Sequence, residues 1–180
     1  MTAVDARGTR RVQALAREAG VEAAGPVDLR KAYGCFPSGV AAVAALVDGE
    51  PVGMAASTFT AVSLEPALVS LCIQRTSTTW PRLRELPRLG LSVLAEGQDA
   101  VCRSLSAKAG DRFAGVAWER HDDGAVLIQD ATLWLDCTLH SELPAGDHLI
   151  ALLQVHGVHA QPEAAPLVFH GSLFRQLATL

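Results

Sequence analysis

The sequence predicts a mainly β chain, folded as a closed or half-closed antiparallel barrel with peripheral helices. Three observations carry that expectation: strand-like apolar runs outnumber helical patterns, they recur at short spacing, and the turns between them are of hairpin type, as at Asp48-Gly49 and Asp123-Gly124. A parallel βαβ sheet fits this arrangement less well. The 180 residues suffice for one domain with a sizeable core, about 150 residues being usual for a domain. Residues 1–27 read as a helical or flexible extension and residues 28–180 as the barrel domain.

In chain order, Arg11–Ala19 reads as a helix ended by Gly20, and Asp28 as the cap of a second helix over Leu29–Phe36, stopped by Pro37 and Gly39. Val40–Val47 is short and wholly apolar, the pattern of a strand buried on both faces. Asp48-Gly49 turns it into an antiparallel return over Pro51–Met54, because both turn residues tolerate positive φ. From Gly53 to Ser63 the chain is small and hydroxylated, with Met54, Phe59 and Val62 its bulky residues, so main-chain amides stay accessible to a flat or anionic ligand. Pro66–Gln74 follows as a buried strand. The run Ser77-Thr78-Thr79-Trp80-Pro81 then starts a helix of about two turns that Pro87 cannot continue. Its hydroxyls suit a helix cap that leaves N–H groups free for a phosphate. Leu89–Leu94 is a strand, Gln98–Ala107 a helix, and Ala125–Ile128 and Ala131–Leu139 are strands. Glu142–His148 reads as a loop delivering the strand Leu149–Val155, and Pro166–Phe174 as a last strand pair.

Composition excludes several classes. Hydrophobic residues make up 49% and charged ones 19%, too apolar for disorder. A net charge of -4 with scattered basic residues argues against nucleic acid as the main partner. No stretch approaches the roughly 20 apolar residues of a membrane span, and charged residues interrupt every short apolar run near the N-terminus. Cys35, Cys72, Cys102 and Cys137 form no C-x-x-C pair, and Cys72 and Cys137 sit in apolar runs as reduced, buried thiols do. The expected setting is reducing and cytoplasmic. His156 and His159 point to opposite faces of a strand, so no metal site is expected there. Walker-type, G-x-S-x-G and G-x-G-x-x-G loops are all missing, which weakens phosphotransferase, hydrolase and ordinary dinucleotide-fold readings.

Five ordered blocks carry a more specific signal. They are Phe36-Pro37-Ser38-Gly39-Val40; the run from Gly53 through Ser57-Thr58 to Pro66; Thr76-Ser77-Thr78-Thr79-Trp80-Pro81; Asp111-Arg112-Phe113-Ala114-Gly115; and Gly146-Asp147-His148. In these blocks the chain resembles the flavin reductase family, the reductase components of two-component flavin monooxygenases, over about Phe36 to Phe174.

The resemblance implies a split β-barrel of the FMN-binding, antiparallel Greek-key type, usually a homodimer with flavin near the subunit interface. It implies that Met54, Ala55, Ala56, Ser57 and Thr58 line the isoalloxazine, and that Leu71, Cys72, Ile73 and Gln74 run along the ring and ribityl chain. Ser77 and Thr78, with Ser106 and Lys108, would hold the phosphate end. Thr60, His148 and the turn Phe169-His170-Gly171 would face the nicotinamide, His148 being the expected catalytic residue. The implied activity is NAD(P)H:flavin oxidoreduction, with FMN or FAD as flavin and NADH or NADPH as hydride donor, the reduced flavin passing by diffusion to a separate monooxygenase. The alternative is a flavin carrier on the same barrel without reductase turnover. A pyridoxine-phosphate oxidase would want a basic cluster for its substrate, which this chain lacks.

Overall fold

In the computed structural model, which describes residue 20, residues 26–121 and residues 123–178, the chain divides into two units, Met1–Phe36 and Pro37–Leu180. The helix expected over Arg11–Ala19 lies outside the described residues. In the first unit, α1 (Pro26–Tyr33) begins on a proline, whose missing N–H is not needed in a first turn. Asp28 therefore lies inside this helix and not at the position before it. The helix gives way to turns at Gly34, whose N–H donates to the carbonyl of Arg30 at 3.1 Å.

The second unit runs β1 (Ser38–Gly39), β2 (Ala41–Val47), β3 (Glu50–Ala56), β4 (Thr60–Leu64), β5 (Ala67–Gln74), α2 (Trp80–Leu83), β6 (Leu89–Val93), α3 (Asp99–Leu105), β7 (Trp118–Arg120), β8 (Val126–Ile128), β9 (Leu133–Ala145), β10 (His148–Ala160), β11 (Val168–His170) and β12 (Leu173–Arg175). Seven strands form one antiparallel sheet in the order β3-β2-β6-β9-β10-β5-β4. Its interior is built from alternate residues, as the period of two along a strand requires. Ala41, Val43 and Ala45 of β2 meet Leu71 and Ile73 of β5, Leu89 and Leu91 of β6, Leu135 and Cys137 of β9, and Ala151 and Leu153 of β10. Trp80 and Leu83 of α2 join the same core.

Val40–Val47 is buried on both faces, as its apolar run predicts. Val40, Ala42 and Ala44 form a second core with Leu94, Leu105, Phe113, Val126 and Ile128 on the other side of β2. The hairpin β7–β8 supplies part of this outer layer, and Ile128 N–H donates to the buried Ser92 hydroxyl at 2.9 Å. The approach of β8 to β6 is close: a Cβ on Gly90 would lie 2.1 Å from the carbonyl oxygen of Val126. Asp48 and Gly49 both have positive φ, 54° and 86°, which fits the tight β2–β3 hairpin.

Four local expectations are corrected. Thr60–Leu64 is a strand, the edge of the sheet. Glu142–Ala145 continues β9 instead of looping, and Gly146-Asp147 is a two-residue turn into β10, with φ 65° at the glycine. The helix at Trp80 makes a single turn and tightens at Leu86, whose N–H reaches the carbonyl of Leu83 at 3.0 Å. Trp118–Arg120 is an additional short strand. Of the thiols expected to be buried, Cys137 is, and burial pushes its pKa up to about 12, which keeps it protonated and inert. Cys72 is only half-buried.

The barrel is split beside β3. This strand ends the sheet, so among the described residues its outer edge has no strand partner. Where the β4–β5 ladder runs out, one side chain takes over: Thr58 Oγ1 accepts from Cys72 N–H at 2.9 Å and donates to the Cys72 carbonyl at 3.2 Å.

Candidate functional site

A cleft of about 650 Å³ opens at this split, within the range of small-molecule sites. Its floor is the end of β3 and the following turn, Met54 to Thr58, with Cys72 and Gln74 of β5 beside it. Both groups of a residue in an antiparallel strand point to the same side. Since the Gly53 carbonyl accepts from Arg112 Nη1 at 3.2 Å, away from β2, Ala55 turns its N–H to the same unpaired edge. That edge is available to a ligand's acceptors.

Thr76, Ser77, Thr78 and Thr79 supply hydroxyls to the cleft, and Ser106 and Lys108, just beyond α3, face it as well. The Ser77 hydroxyl accepts from Trp80 N–H at 3.1 Å, capping α2 as the sequence suggested, and points its proton at Met54 Sδ. Thr79 holds the N-cap position but accepts from Arg112 Nη1 at 2.8 Å instead. Arg112 thereby ties β3 to the hydroxyl turn. Its own loop is fixed by Ser104 Oγ donating to the Arg112 carbonyl at 2.9 Å and by Phe113 N–H donating to Asp111 Oδ1 at 2.8 Å.

His148 opens β10, paired with Gln74, and also borders the cleft. Its Nδ1 lies 2.7 Å from Asp147 Oδ1. This bond from the imidazole, followed by the imidazole's charge, holds the fully exposed Asp147 carboxyl below its ordinary pKa. An ionised carboxylate only accepts, so the bond assigns a proton to Nδ1 and turns Nε2 toward the ring's free side.

The other residues singled out by sequence fall elsewhere. Leu71 and Ile73 are buried, their side chains in the barrel core, because alternation turns Cys72 and Gln74 outward in their place. Thr60 is exposed on β4 and does not line the cleft. Phe169 lines a smaller cavity of about 180 Å³ that shares Ala55, Ala56, Ser57 and Ser106 with the cleft, while His170 and Gly171 belong to the β11–β12 hairpin and line neither. Thr76, Thr79, Leu105 and Arg112 border the cleft without having been picked from sequence. Thr76, Thr79 and Arg112 sit inside quoted blocks, and an arginine set among Ala107, Ala109, Gly110 and Ala114 was the available signal.

Residues 33–178 match the family model described as the flavin reductase like domain. The chain belongs to the flavin reductase-like domain family. A flavin reductase of Pseudomonas putida is 37% identical over 146 residues, covering 81% of this chain and 86% of that protein. The reductase subunit of a flavin-dependent monooxygenase from Rhodococcus jostii is 34% identical over 149 residues, covering 83% and 76%. Among solved structures, the NADH:FAD oxidoreductase of Streptomyces globisporus, in complex with NAD and FAD fragments, superposes with a TM-score of 0.81 at 37% identity, over 87% of this chain and 97% of that one. The split barrel is thus the family's fold as well as the one built here from alternating strands.

Proposed function

We propose that this chain is an NAD(P)H-dependent flavin reductase that supplies reduced flavin to a separate monooxygenase component. The observation that carries this reading is the cleft at the split of the barrel in a member of this family: an open strand edge and small side chains for a flat ring, hydroxyls and Lys108 for a phosphate, and an oriented imidazole beside them. Relatives named as reductase subunits and as an NADH:FAD oxidoreductase support the same assignment.

When bound, the nicotinamide and isoalloxazine rings supply the hydride chemistry, from C4 of one to N5 of the other, and the protein's task is to stack them. Small residues at Ala55, Ala56 and Ser57 leave room for the flat ring over the main chain. Main-chain N–H groups of the β3 edge donate to its carbonyl rim. Thr78, Ser106 and Lys108 neutralise and hydrogen-bond the phosphate end. His148, fixed by Asp147, hydrogen-bonds the nicotinamide carboxamide at Nε2 and orients it; no proton transfer is required of it. Among the described residues no helix is long and apolar enough to cross a membrane, and all four cysteines are free thiols, which supports the expected cytoplasmic, reducing setting. The exposed apolar side chains Val62 and Leu64 on β4 and Leu143 on β9 support a homodimer.

The test is steady-state oxidation of NADH and NADPH with FMN, FAD and riboflavin offered in turn. Turnover with at least one pairing is expected, and a protein that neither binds an isoalloxazine nor oxidises a pyridine nucleotide contradicts the reading. Anaerobic mixing of the flavin-loaded protein with NADH separates a reductase, which bleaches flavin absorbance, from a carrier, which does not. His148→Ala is expected to raise the KM for NADH severalfold with little change in flavin affinity, the pattern of a lost binding contact. Unchanged NADH kinetics would remove His148 from the nicotinamide side.

A further inference from the structure

We infer that Glu142, which does not line the cleft, is a positioning residue for the hydroxyl turn and so governs how firmly that turn holds the polar end of a flavin; this rests on the flavin reading above. Its carboxylate sits between Trp80 of α2 and Arg84 just beyond it. Glu142 Oε1 accepts from the indole N–H of Trp80, and Oε2 pairs with Arg84 Nη1 at 2.9 Å. The Glu142 side chain is only 17% exposed and Trp80 is buried in the barrel core, so the indole bond is screened from water. An indole N–H can only donate. Without the carboxylate that donor is left buried and unmet, a heavier loss than that of an exposed bond.

A chain of hydrogen bonds runs from this carboxylate to the cleft floor. Trp80 donates its ring N–H to Glu142 and its main-chain N–H to the Ser77 hydroxyl at 3.1 Å, and that hydroxyl directs its own proton to Met54 Sδ at 3.8 Å. Both ends of the chain are anchored in sheet: Glu142 pairs with Ala151 in the β9–β10 ladder, and Met54 with Val43 in the β2–β3 ladder. Between them the place of Ser77 depends on where the indole is held. Linked polar groups of this kind act together, so a loss at one end is felt at the other. The floor under the flat ring keeps its own ladder and is not moved. Thr79 has a separate tie to Arg112 at 2.8 Å, which leaves Ser77 and Thr78 as the part of the turn that Glu142 governs. Arg84 is exposed and shared with Glu85, so its pair with Glu142 is the weaker restraint.

Dissociation constants for FMN and riboflavin, which differ only in the phosphate, test this when measured by flavin fluorescence with the intact chain, Glu142→Ala, Glu142→Gln and Arg84→Ala, each checked for folding by circular dichroism. Glu142→Ala is expected to weaken FMN at least fivefold while riboflavin changes less than twofold. Glu142→Gln, whose amide oxygen can still accept from the indole, and Arg84→Ala, which removes only the exposed pair, are expected to keep both affinities within twofold of the parent. Equal losses of FMN and riboflavin in Glu142→Ala overturn the inference, because a general loosening of the fold acts on both, and so does an unchanged FMN affinity. A matching loss in Glu142→Gln or Arg84→Ala overturns it as well and assigns the effect to charge. Where Glu142→Ala does not fold, Glu142→Asp, which keeps the charge and draws the carboxylate back by one methylene, is held to the same criteria. Failure of the unaltered protein to bind any isoalloxazine overturns the flavin reading itself, and shows before any variant is made.

Discussion

Ser57→Trp is expected to abolish flavin binding while leaving the protein folded. Ser57 follows the last residue of β3, is exposed, and lies on the floor of the cleft, so a larger side chain there meets solvent and not the core. An indole occupies the space that a flat tricyclic ring needs over the main chain. The purified variant should give a far-ultraviolet circular dichroism spectrum and a Tm close to those of the parent, yet show no saturable quenching of FAD or FMN fluorescence. Retained flavin affinity in the folded variant would move the ring site away from Ala55 to Ser57.

Gly90→Ala should have the largest effect on stability. The added Cβ would fall 2.1 Å from the Val126 carbonyl oxygen and 2.7 Å from the Val126 carbonyl carbon, both main-chain atoms that cannot rotate away. Accommodating it means lifting β8 from β6, which disturbs the Ile128–Ser92 hydrogen bond and the outer core around Val126. Overpacking of this kind costs about 3 kcal/mol, a large share of the about 5–15 kcal/mol that holds a domain together. At 180 residues that corresponds to a Tm lowered by about 6–12 °C. Thermal unfolding followed by circular dichroism reads it directly, and a shift below about 2 °C would mean that β8 is not seated where the Gly90 contact places it.

Particular stretches explain which parts of the fold were legible beforehand. Val40–Val47 announced itself because both of its faces are buried, so its pattern carried no polar interruption. Thr60–Leu64 was missed for the opposite reason: as an edge strand exposed at most of its positions, it has no apolar face to alternate. Pro144 and Gly146 give Glu142–Ala145 the composition of a loop. The β6–β9 ladder ends at Cys137, however, so at Pro144 that side of β9 is an edge and the missing N–H removes no bond there. Four of the five blocks contribute residues to the cleft, Phe36 to Val40 being the exception, while the period of two along β5 sends Leu71 and Ile73 inward. Arg112 was overlooked because its partners, Gly53 and Thr79, are distant in sequence and meet it only once the barrel has closed.

The Thr58 contact has a bearing on how a guest molecule comes and goes. At that point the wall of the barrel is stitched by a single hydroxyl in place of a continuous ladder. Parting it costs two hydrogen bonds from one side chain, and the rest of the sheet keeps its register while this happens. The seam borders the cleft, so the part of the wall that opens at least cost lies beside the ligand's space and leaves the core untouched.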